Sequence, residues 1–574
     1  MADRNGDVAR LLGELARLTE LDEGSPNAFR VRAYATAQRA VEGLETDVAD
    51  LSAADLAKIR GIGTSIAARI REFVDTGRVE RLEQLRALHP ASKVELTRVP
   101  GLGPKLVQRL EDELGVTSLE GLVAALEDGR AAELPGFGEK RVARLREAID
   151  VLELGSKQRR VPIADALPVA ERLVERLSQV DGVSEVAYAG SLRRFRETIG
   201  DLDVLVGGPD GLDVLGAVSD VVEVDRVLGH GSTKLSVVTR EQLQIDVRVV
   251  PPDSFGAALV YFTGSKAHNI RLRQRAQQRS LTLNEYGLAA AAGEPAHGRS
   301  EQELYAALDL PWIPPEIRED EGEFEDALPD VAEVDDLRGD LHDHTEASGD
   351  GRMSLEQLVE AAVGRGLEYL AITDHARNLT MNGVSLEGML EQRDRVRALE
   401  QQRGDIHLLH GAELNIGADG ELDHDDAFLA GFDWLVASIH SHFDRDVEAQ
   451  TERLVRAIRQ PSVTAIGHLT GRRIGARPGV RFDVDRVLDA CVETGTALEI
   501  NASLSRLEPP LDVLRAGARR GVSFVISTDA HSVDELDRAR FGIAHARRAR
   551  LERDAVLNVR PWPEFARWLE EVRA

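Results

Sequence analysis

Along the first 150 residues, apolar positions recur three and four apart within Leu-, Ala-, Arg- and Glu-rich segments that short Gly and Pro turns interrupt, which predicts a helical region. From about 160 to 255 the pattern changes to a mixture of strands and helices. In Leu243-Gln-Ile-Asp-Val-Arg-Val-Val250, Ile245, Val247 and Val249 alternate with Asp246 and Arg248, so one face of that strand is apolar and the other charged. Beyond about residue 336 a short apolar run ending in His, Asp or Glu is repeatedly followed by a helical segment. The runs are 341–344, 369–375, 408–413, 434–440, 463–468 and 524–531, with 497–501 as a further strand. Such alternation predicts a parallel α/β barrel, whose chemistry gathers at the C-terminal ends of its strands.

Candidate chemistry sharpens this picture at three places. Asp201 and Asp203 stand two apart in the apolar run Gly-Asp-Leu-Asp-Val-Leu205, a spacing that points both carboxylates to one face of a strand. Asp246 supplies a third carboxylate from a neighbouring strand. The preceding Gly190-Ser-Leu-Arg-Arg194 offers a Gly-Ser turn that lets the backbone approach a phosphate, with Arg193 or Arg194 to grip its oxygens. Three carboxylates, two metal ions and a triphosphate clamp describe nucleotidyl transfer.

In the helical region, Gly61-Ile-Gly63, Gly101-Leu-Gly103 and Gly136-Phe-Gly138 each precede a helix-forming run, and an arginine falls at one offset in all three copies: Arg69, Arg109 and Arg144. This is the helix-hairpin-helix pattern. Its loop and helix N-terminus present bare backbone N–H groups, which hold a phosphate without reading base sequence. A further stretch, Tyr261-Phe-Thr-Gly-Ser, leads into a run with Arg271, Arg273, Arg275 and Arg279 that is placed to meet a template or primer strand.

The barrel runs end in His342, His344, His375, Glu413, His440, His468, Asp529 and His531. Imidazole with carboxylate suits Zn, Mn or Fe. The set is large enough for two or three ions with Glu413 bridging, and clustered ions of this kind hydrolyse phosphoesters.

Bulk properties set limits on this reading. A chain of 574 residues is too long for one core and predicts three or more domains. Lys+Arg 71 against Asp+Glu 99 gives −28, which argues against general adhesion to nucleic acid or anionic membrane, so any DNA contact is local. A single cysteine, Cys491, forbids an internal disulfide and suits a reducing compartment. With no signal pattern and no bilayer-spanning apolar run, the expected location is the cytoplasm. Acidic residues from Glu319 to Glu325 read as a solvated linker.

Gly-Ser-Leu-Arg-Arg, Gly-Asp-Leu-Asp, the Asp246 strand, Tyr-Phe-Thr-Gly-Ser and Leu-Thr-Leu-Asn-Glu-Tyr286 come in the order and spacing of the family X DNA polymerases, which the first 315 or so residues resemble. The remainder resembles a polymerase-and-histidinol-phosphatase (PHP) domain, so the whole chain resembles the bacterial family X polymerases. The resemblance implies a multidomain protein. All-α helix-hairpin-helix domains would occupy 1–85 and 86–155, an α+β nucleotidyltransferase palm like that of polymerase beta 156–255, and a nucleotide- and template-binding subdomain 256–318. An acidic linker at 319–335 would then lead to a distorted TIM-like α/β PHP barrel at 336–574.

It further implies that Asp201, Asp203 and Asp246 bind two Mg²⁺, and that Gly190, Ser191 and Arg194 hold the dNTP phosphates. Tyr261, Phe262 and Gly264 would line the sugar, Asn269 would touch the base edge, and Arg273 and Tyr286 would meet the template. Gly61, Gly63, Gly101, Gly103, Gly136 and Gly138 would contact DNA. Asp350 joins the barrel ligands by the same resemblance, although Gly349 sets it one residue later than the family position. Those ligands would hold two to three Mn²⁺ or Zn²⁺ for 3′–5′ exonuclease or apurinic-site endonuclease activity. The implied partners are gapped or primer–template DNA and dNTPs, with no membrane, for a monomer. Some family members also carry a deoxyribose-phosphate lyase lysine. Its place here is taken by Arg69, which cannot deprotonate to a nucleophile, so no lyase is expected. Three other readings stay open: a PHP phosphoesterase with a silent polymerase module, a DNA-binding scaffold, and nucleotide addition to RNA.

Overall fold

The structure, a computed structural model, describes residues 4–573 except 24–28, 43, 45–46, 89–95, 97–98, 100–101, 135–136, 139–140, 143–144, 147–148, 150–159, 291–296, 326 and 380–381. The described residues form two bodies, one of Met1–Lys157 with Gly475–Arg477 and one of Gln158–Ile474 with Pro478–Ala574.

The first body is helical, with helices that include Arg4–Glu23, Phe29–Glu42, Thr64–Thr76, Glu80–Leu88, Pro104–Leu114 and Leu119–Glu127. Its apolar residues gather in two cores, one around Leu12, Leu15, Leu56 and Ile70, the other around Val107, Leu110, Leu122 and Phe137. The apolar residue between each pair of glycines plugs one of these cores: Ile62, Leu102 and Phe137 are all buried. Each loop is thereby pinned by its middle residue, while Gly63, Gly103 and Gly138 stay at the surface.

In the second body, a mixed sheet carries the acidic motif. Its strands are β1 (Glu185–Tyr188), β2 (Asp201–Gly207), β3 (Val224–His230), β4 (Lys234–Thr239) and β5 (Gln244–Val250), in the order β1-β2-β5-β4-β3. Only β2 and β5 run parallel, and their register sets Asp203 opposite Asp246. Leu202, Val204, Ile245 and Val247 pack beneath them against helix Ile163–Ser178, so the charged residues take the opposite face.

Helices Phe255–Thr263, Lys266–Gln278 and Glu301–Ala307 follow, around a core of Leu272, Leu304 and Tyr305. Buried Glu301 ties this region to the sheet domain: it accepts from Arg193 at 2.7 and 2.9 Å, from Arg318 at 2.8 and 3.1 Å and from Trp312 Nε1 at 2.9 Å. The acidic stretch is tied to the fold, although Asp320, Glu321 and Glu325 stay exposed. Glu323 is 2% exposed, with an oxygen 2.8 Å from His268 Nδ1, and it accepts backbone N–H bonds from Asp320 and Glu321. Glu319, Glu321 and Glu325 pair with Arg194, Arg515 and Arg271. Sequence pattern shows a run of like charges but not the cations that the fold brings to meet them.

The barrel has seven parallel strands: β6 (Gly339–Asp343), β7 (Tyr369–Ile372), β8 (His407–Asn415), β9 (Trp434–Ser438), β10 (Ala465–Gly467), β11 (Ala497–Asn501) and β12 (Phe524–Ser527), neighbours in that order. A bridge between Asp343 and Ala530 brings the first strand back to the last. Leu341, Ala371, Leu409, Val436, Ala465, Ala497 and Val525 form an inner core with Phe565 and Leu569 of helix Trp562–Arg573. Chemistry is left to the strands' C-terminal ends.

Candidate active sites

On the sheet, Asp201 and Asp203 of β2 stand beside Asp246 of β5, as the shared strand face requires. Burial, then the negative charges of Asp201 and Asp246, pushes the Asp203 carboxyl up to about 7. One oxygen of Asp246 is buried without a hydrogen-bond partner, and its other lies 3.6 Å from Lys234 Nζ. A divalent cation is the partner that such an all-oxygen, self-repelling set calls for. Arg248, two residues beyond Asp246, works against the shift at Asp203 and lies over the Phe262 ring at 4.5 Å. Neither Lys234 nor Arg248 was expected at this site. The alternation that exposed Asp246 also exposed Arg248, which was the available signal.

Gly190 adopts a φ of +63°, and a Cβ there would meet Asp203 Oδ2 at 2.4 Å, so only glycine lets the Gly-Ser turn sit against the carboxylates. The two arginines after it have different surroundings. Arg193 is committed to Glu301, whereas Arg194 donates to the Thr263 carbonyl and, from Nε, to Glu319 at 3.0 Å. Tyr261 and Phe262 lie on helix Phe255–Thr263, which ends at Gly264 with φ +68°. Asn269 is buried, its amide donating to the Tyr261 carbonyl at 2.7 Å. Tyr286 is 47% exposed. Of the arginine run, Arg271, Arg275 and Arg279 bond to Glu325, to the Leu308 carbonyl and to Asp309, while exposed Arg273 lies over the Tyr261 ring at 5.4 Å.

At the barrel's open end all nine expected ligands converge. Glu413 is central: Oε1 lies 2.8 Å from His468 Nε2 and 3.1 Å from His440 Nε2, and Oε2 lies 2.7 Å from His375 Nδ1, 3.5 Å from His342 Nε2 and 3.7 Å from His344 Nε2. Asp529 Oδ1 is 3.3 Å from His344 Nε2, and Asp350 Oδ2 is 3.3 Å from His375 Nε2 and 3.6 Å from His531 Nε2. Despite Gly349, Asp350 faces the cluster. Burial alone would raise the Glu413 carboxyl, but the charges of His440, His342 and His375 hold it well below the carboxylate range. Burial and neighbouring His531 and His375 depress His344 to about 3, and burial with Arg506 depresses His468 to about 4.

Both nitrogens of His344, Nε2 of His342, Oε2 of Glu413 and Oδ1 of Asp350 are buried without a hydrogen-bond partner. Buried lone pairs of imidazole and carboxylate left unpaired together fit borderline metal ions. Three groups, His344/His375/His531, His342/His344/Asp529 and His375/Glu413/His440, are compact enough for one ion each. Glu499 and Asn501, on a strand placed in the barrel but given no role, hold the ligands: Glu499 Oε1 lies 2.6 Å from His342 Nδ1, and the Asn501 amide donates to Asp529 Oδ2 at 3.0 Å.

In the helical body, Gly63 and Gly103 cap the N-termini of helices Thr64–Thr76 and Pro104–Leu114. A Cβ added at Gly63, Gly103 or Gly138 would meet nothing within 4 Å, whereas Gly61 combines φ +96° with the Thr36 methyl at 3.0 Å. Packing thus accounts for Gly61 but not for the other three, which leave bare backbone at the surface. Gly101, Gly136 and Arg144 lie outside the described residues. Arg69 donates to the Ser65 carbonyl at 3.0 Å. No described helix is long and apolar enough to cross a membrane.

Comparison with known proteins agrees with this anatomy. The family model for a helix-hairpin-helix domain matches residues 3–79, a SAM-like helix-hairpin-helix tandem 93–150, the DNA polymerase beta thumb 258–319 and the PHP domain 340–503. The chain is 36% identical to the DNA polymerase/3′-5′ exonuclease PolX of Bacillus subtilis over 571 residues, 98% of this chain and 99% of that protein. It is 25% identical to rat DNA polymerase lambda over 51% of this chain and 52% of that one. A probable phosphatase of Vibrio vulnificus is 31% identical over 36% of this chain and 83% of its own length.

Proposed function

Since the chain belongs to the bacterial family X DNA polymerases that carry a PHP domain, we propose that it fills gapped or primer–template DNA from dNTPs on its palm and hydrolyses DNA 3′ ends in its barrel. The observation that carries this is the presence of two separate cation-seeking clusters, one of carboxylates on β2 and β5 and one rich in imidazole at the barrel mouth.

On the palm, Asp201, Asp203 and Asp246 would hold Mg²⁺, and in the barrel the nine His, Asp and Glu residues would hold two to three Mn²⁺ or Zn²⁺. These ions supply Lewis-acid activation of phosphate and of the attacking oxygen. The chain's own groups do the positioning. Gly190, Ser191 and Arg194 receive the triphosphate, Tyr261, Phe262 and Gly264 face the sugar, Asn269 lies toward the base, and Arg273 and Tyr286 reach the template. Gly63, Gly103 and Gly138 offer backbone N–H groups to DNA phosphates, which suits a chain of net charge −28. Arg69 stands where a lyase nucleophile would be needed, and we propose no Schiff-base activity.

Asp201→Ala is expected to abolish dNTP incorporation on a primed template and leave Mn²⁺-dependent trimming of the 3′ end intact, while His344→Ala does the reverse. Loss of both activities by either substitution would show that the two clusters are one site.

A further inference from the structure

At the barrel mouth one cation is set against the ligand cluster without a full complement of partners. Arg506 lies in the turn after β11. The Ser503 N–H donates to Asn501 Oδ1 at 3.1 Å, and the N–H groups of Arg506 and Leu507 both donate to the Ser503 carbonyl at 2.8 Å. Arg472 Nε donates to the Arg506 carbonyl at 2.8 Å, and Arg472 in turn pairs with Glu197 of the palm at 3.0 and 3.2 Å. The turn is therefore fixed from both sides. From it the Arg506 side chain runs inward, 12% exposed, and brings Nε to 3.8 Å from Asp529 Oδ2. Its Nη1 is buried and has no hydrogen-bond partner. Arg473 lies close enough to feel the charges of both Arg506 and Asp529.

This arrangement is unfavourable as it stands. A buried N–H without an acceptor loses its hydration and gains nothing in return. Asp529 would serve a cation held among the ligands, and Arg506, 3.8 Å from that carboxylate, would then lose its counter-charge. An anion lying between the ions and the guanidinium relieves both problems. A phosphoryl group suits the position, because its oxygens accept from a planar guanidinium while others face the ions.

We propose that Arg506 is a substrate-binding residue of the barrel site, its guanidinium holding a non-bridging oxygen of the phosphoryl group under attack. The assignment rests on the hydrolase reading above. It also gives the seam between palm and barrel a role, since Arg472 fixes the turn that aims Arg506 and is itself held by a palm carboxylate.

The test uses the full-length chain loaded with Mn²⁺. Binding of inorganic phosphate is measured calorimetrically in wild type, Arg506→Gln and Arg506→Lys, each as the difference from a His344→Ala control, with metal content and dNTP incorporation measured in parallel. Loss of a charge-assisted hydrogen bond corresponds to about ten- to a hundredfold in affinity. Arg506→Gln is expected to weaken phosphate binding by that factor and to raise the KM for 3′-end hydrolysis, with metal content and incorporation unchanged. Arg506→Lys falls between the two. Undiminished phosphate affinity in Arg506→Gln overturns the proposal, and so does a loss of metal that accounts for the weaker binding. Phosphate binding that depends on Arg506 in a wild-type protein unable to trim any 3′ end would support the anion site and sink the hydrolase reading instead.

Discussion

On the function proposed above, the palm and the barrel would both hold cations near phosphorus, yet their electrostatics are opposite. On the palm, three carboxylates share a strand face and repel one another, so that Asp203 rises to about 7. Lys234 and Arg248 lie close by, and Asp201 and Asp203 keep part of their surface in solvent. In the barrel, imidazoles surround Glu413 and neutralise it internally, which lets His342, His344, Glu413 and His468 sit at 0–1% exposure. A cluster of one charge sign stays at a surface and waits for its ion. A cluster of mixed sign can be buried before the ion arrives. That contrast supports the proposed assignment of substrate-borne Mg²⁺ to the first and of resident ions to the second.

Breaking this contrast at its strongest point gives the largest expected effect. Glu413→Gln removes the carboxylate that faces five imidazoles, His342, His344, His375, His440 and His468. Trimming of a 3′ end should fall on the order of 10³-fold or more, because the site loses both a ligand and its internal counter-charge. Barrel metal measured by mass spectrometry should fall with it, and primer extension should stay within about threefold. A comparable loss of primer extension would show that the palm depends on the barrel's charge.

Acid and base should separate the two clusters next. With Asp203 near 7, the metal-free palm carries a proton that Mg²⁺ must displace below that pH, so Mg²⁺ affinity should fall about tenfold per unit under pH 7 and level off above it. The same shift makes the metal-free palm lose stability as pH rises from about 4 to 7, since the folded state binds the proton more tightly than the unfolded one. In the barrel, burial would lower His375, but Glu413 and Asp350 raise it to about 10. Its contribution to metal-free stability is complete below about 6.5 and disappears on the way to 10. Mn²⁺ affinity should therefore still climb between pH 7.5 and 9, roughly where Mg²⁺ affinity is flat. Parallel slopes for the two metals would remove the electrostatic distinction between the sites.

Much of this was legible in the chain because the ligands announce themselves locally. Asp201 and Asp203 are placed by a spacing of two, and eight of the nine barrel ligands, all but Asp350, lie in or just after an apolar strand. What stayed hidden depends on partners far away in sequence. Glu301 meets Arg193 108 residues away, and the linker glutamates meet arginines that no pattern assigns to them. Glu499 lies mid-strand, where alternation reports which face a residue takes but not that His342 waits across the barrel. Arg506 sits in a turn with no period at all. Asn269, expected at a base edge, donates its amide to the Tyr261 carbonyl on the preceding helix, a partner that residue type alone cannot reveal.

The smallest expected effect concerns two arginines in unlike states. Arg506 has a buried N–H without an acceptor, whereas Arg194, assigned to the triphosphate, already holds Glu319 at 3.0 Å with Arg196 3.7 Å from the same oxygen. A triphosphate has to compete with that carboxylate before it can take the guanidinium. The pair is largely shielded, with Arg194 14% and Glu319 19% exposed, but still reaches solvent, so its strength is on the order of 1 kcal/mol. Glu319→Gln should therefore lower the KM for dNTP by about two- to fivefold at low salt, with kcat and 3′-end trimming unchanged and the gain shrinking as salt screens the wild-type pair. A rise in KM would mean that Glu319 aims Arg194 instead of occupying it, and the palm arginine would then be a braced group, closer in kind to Arg506 on its fixed turn.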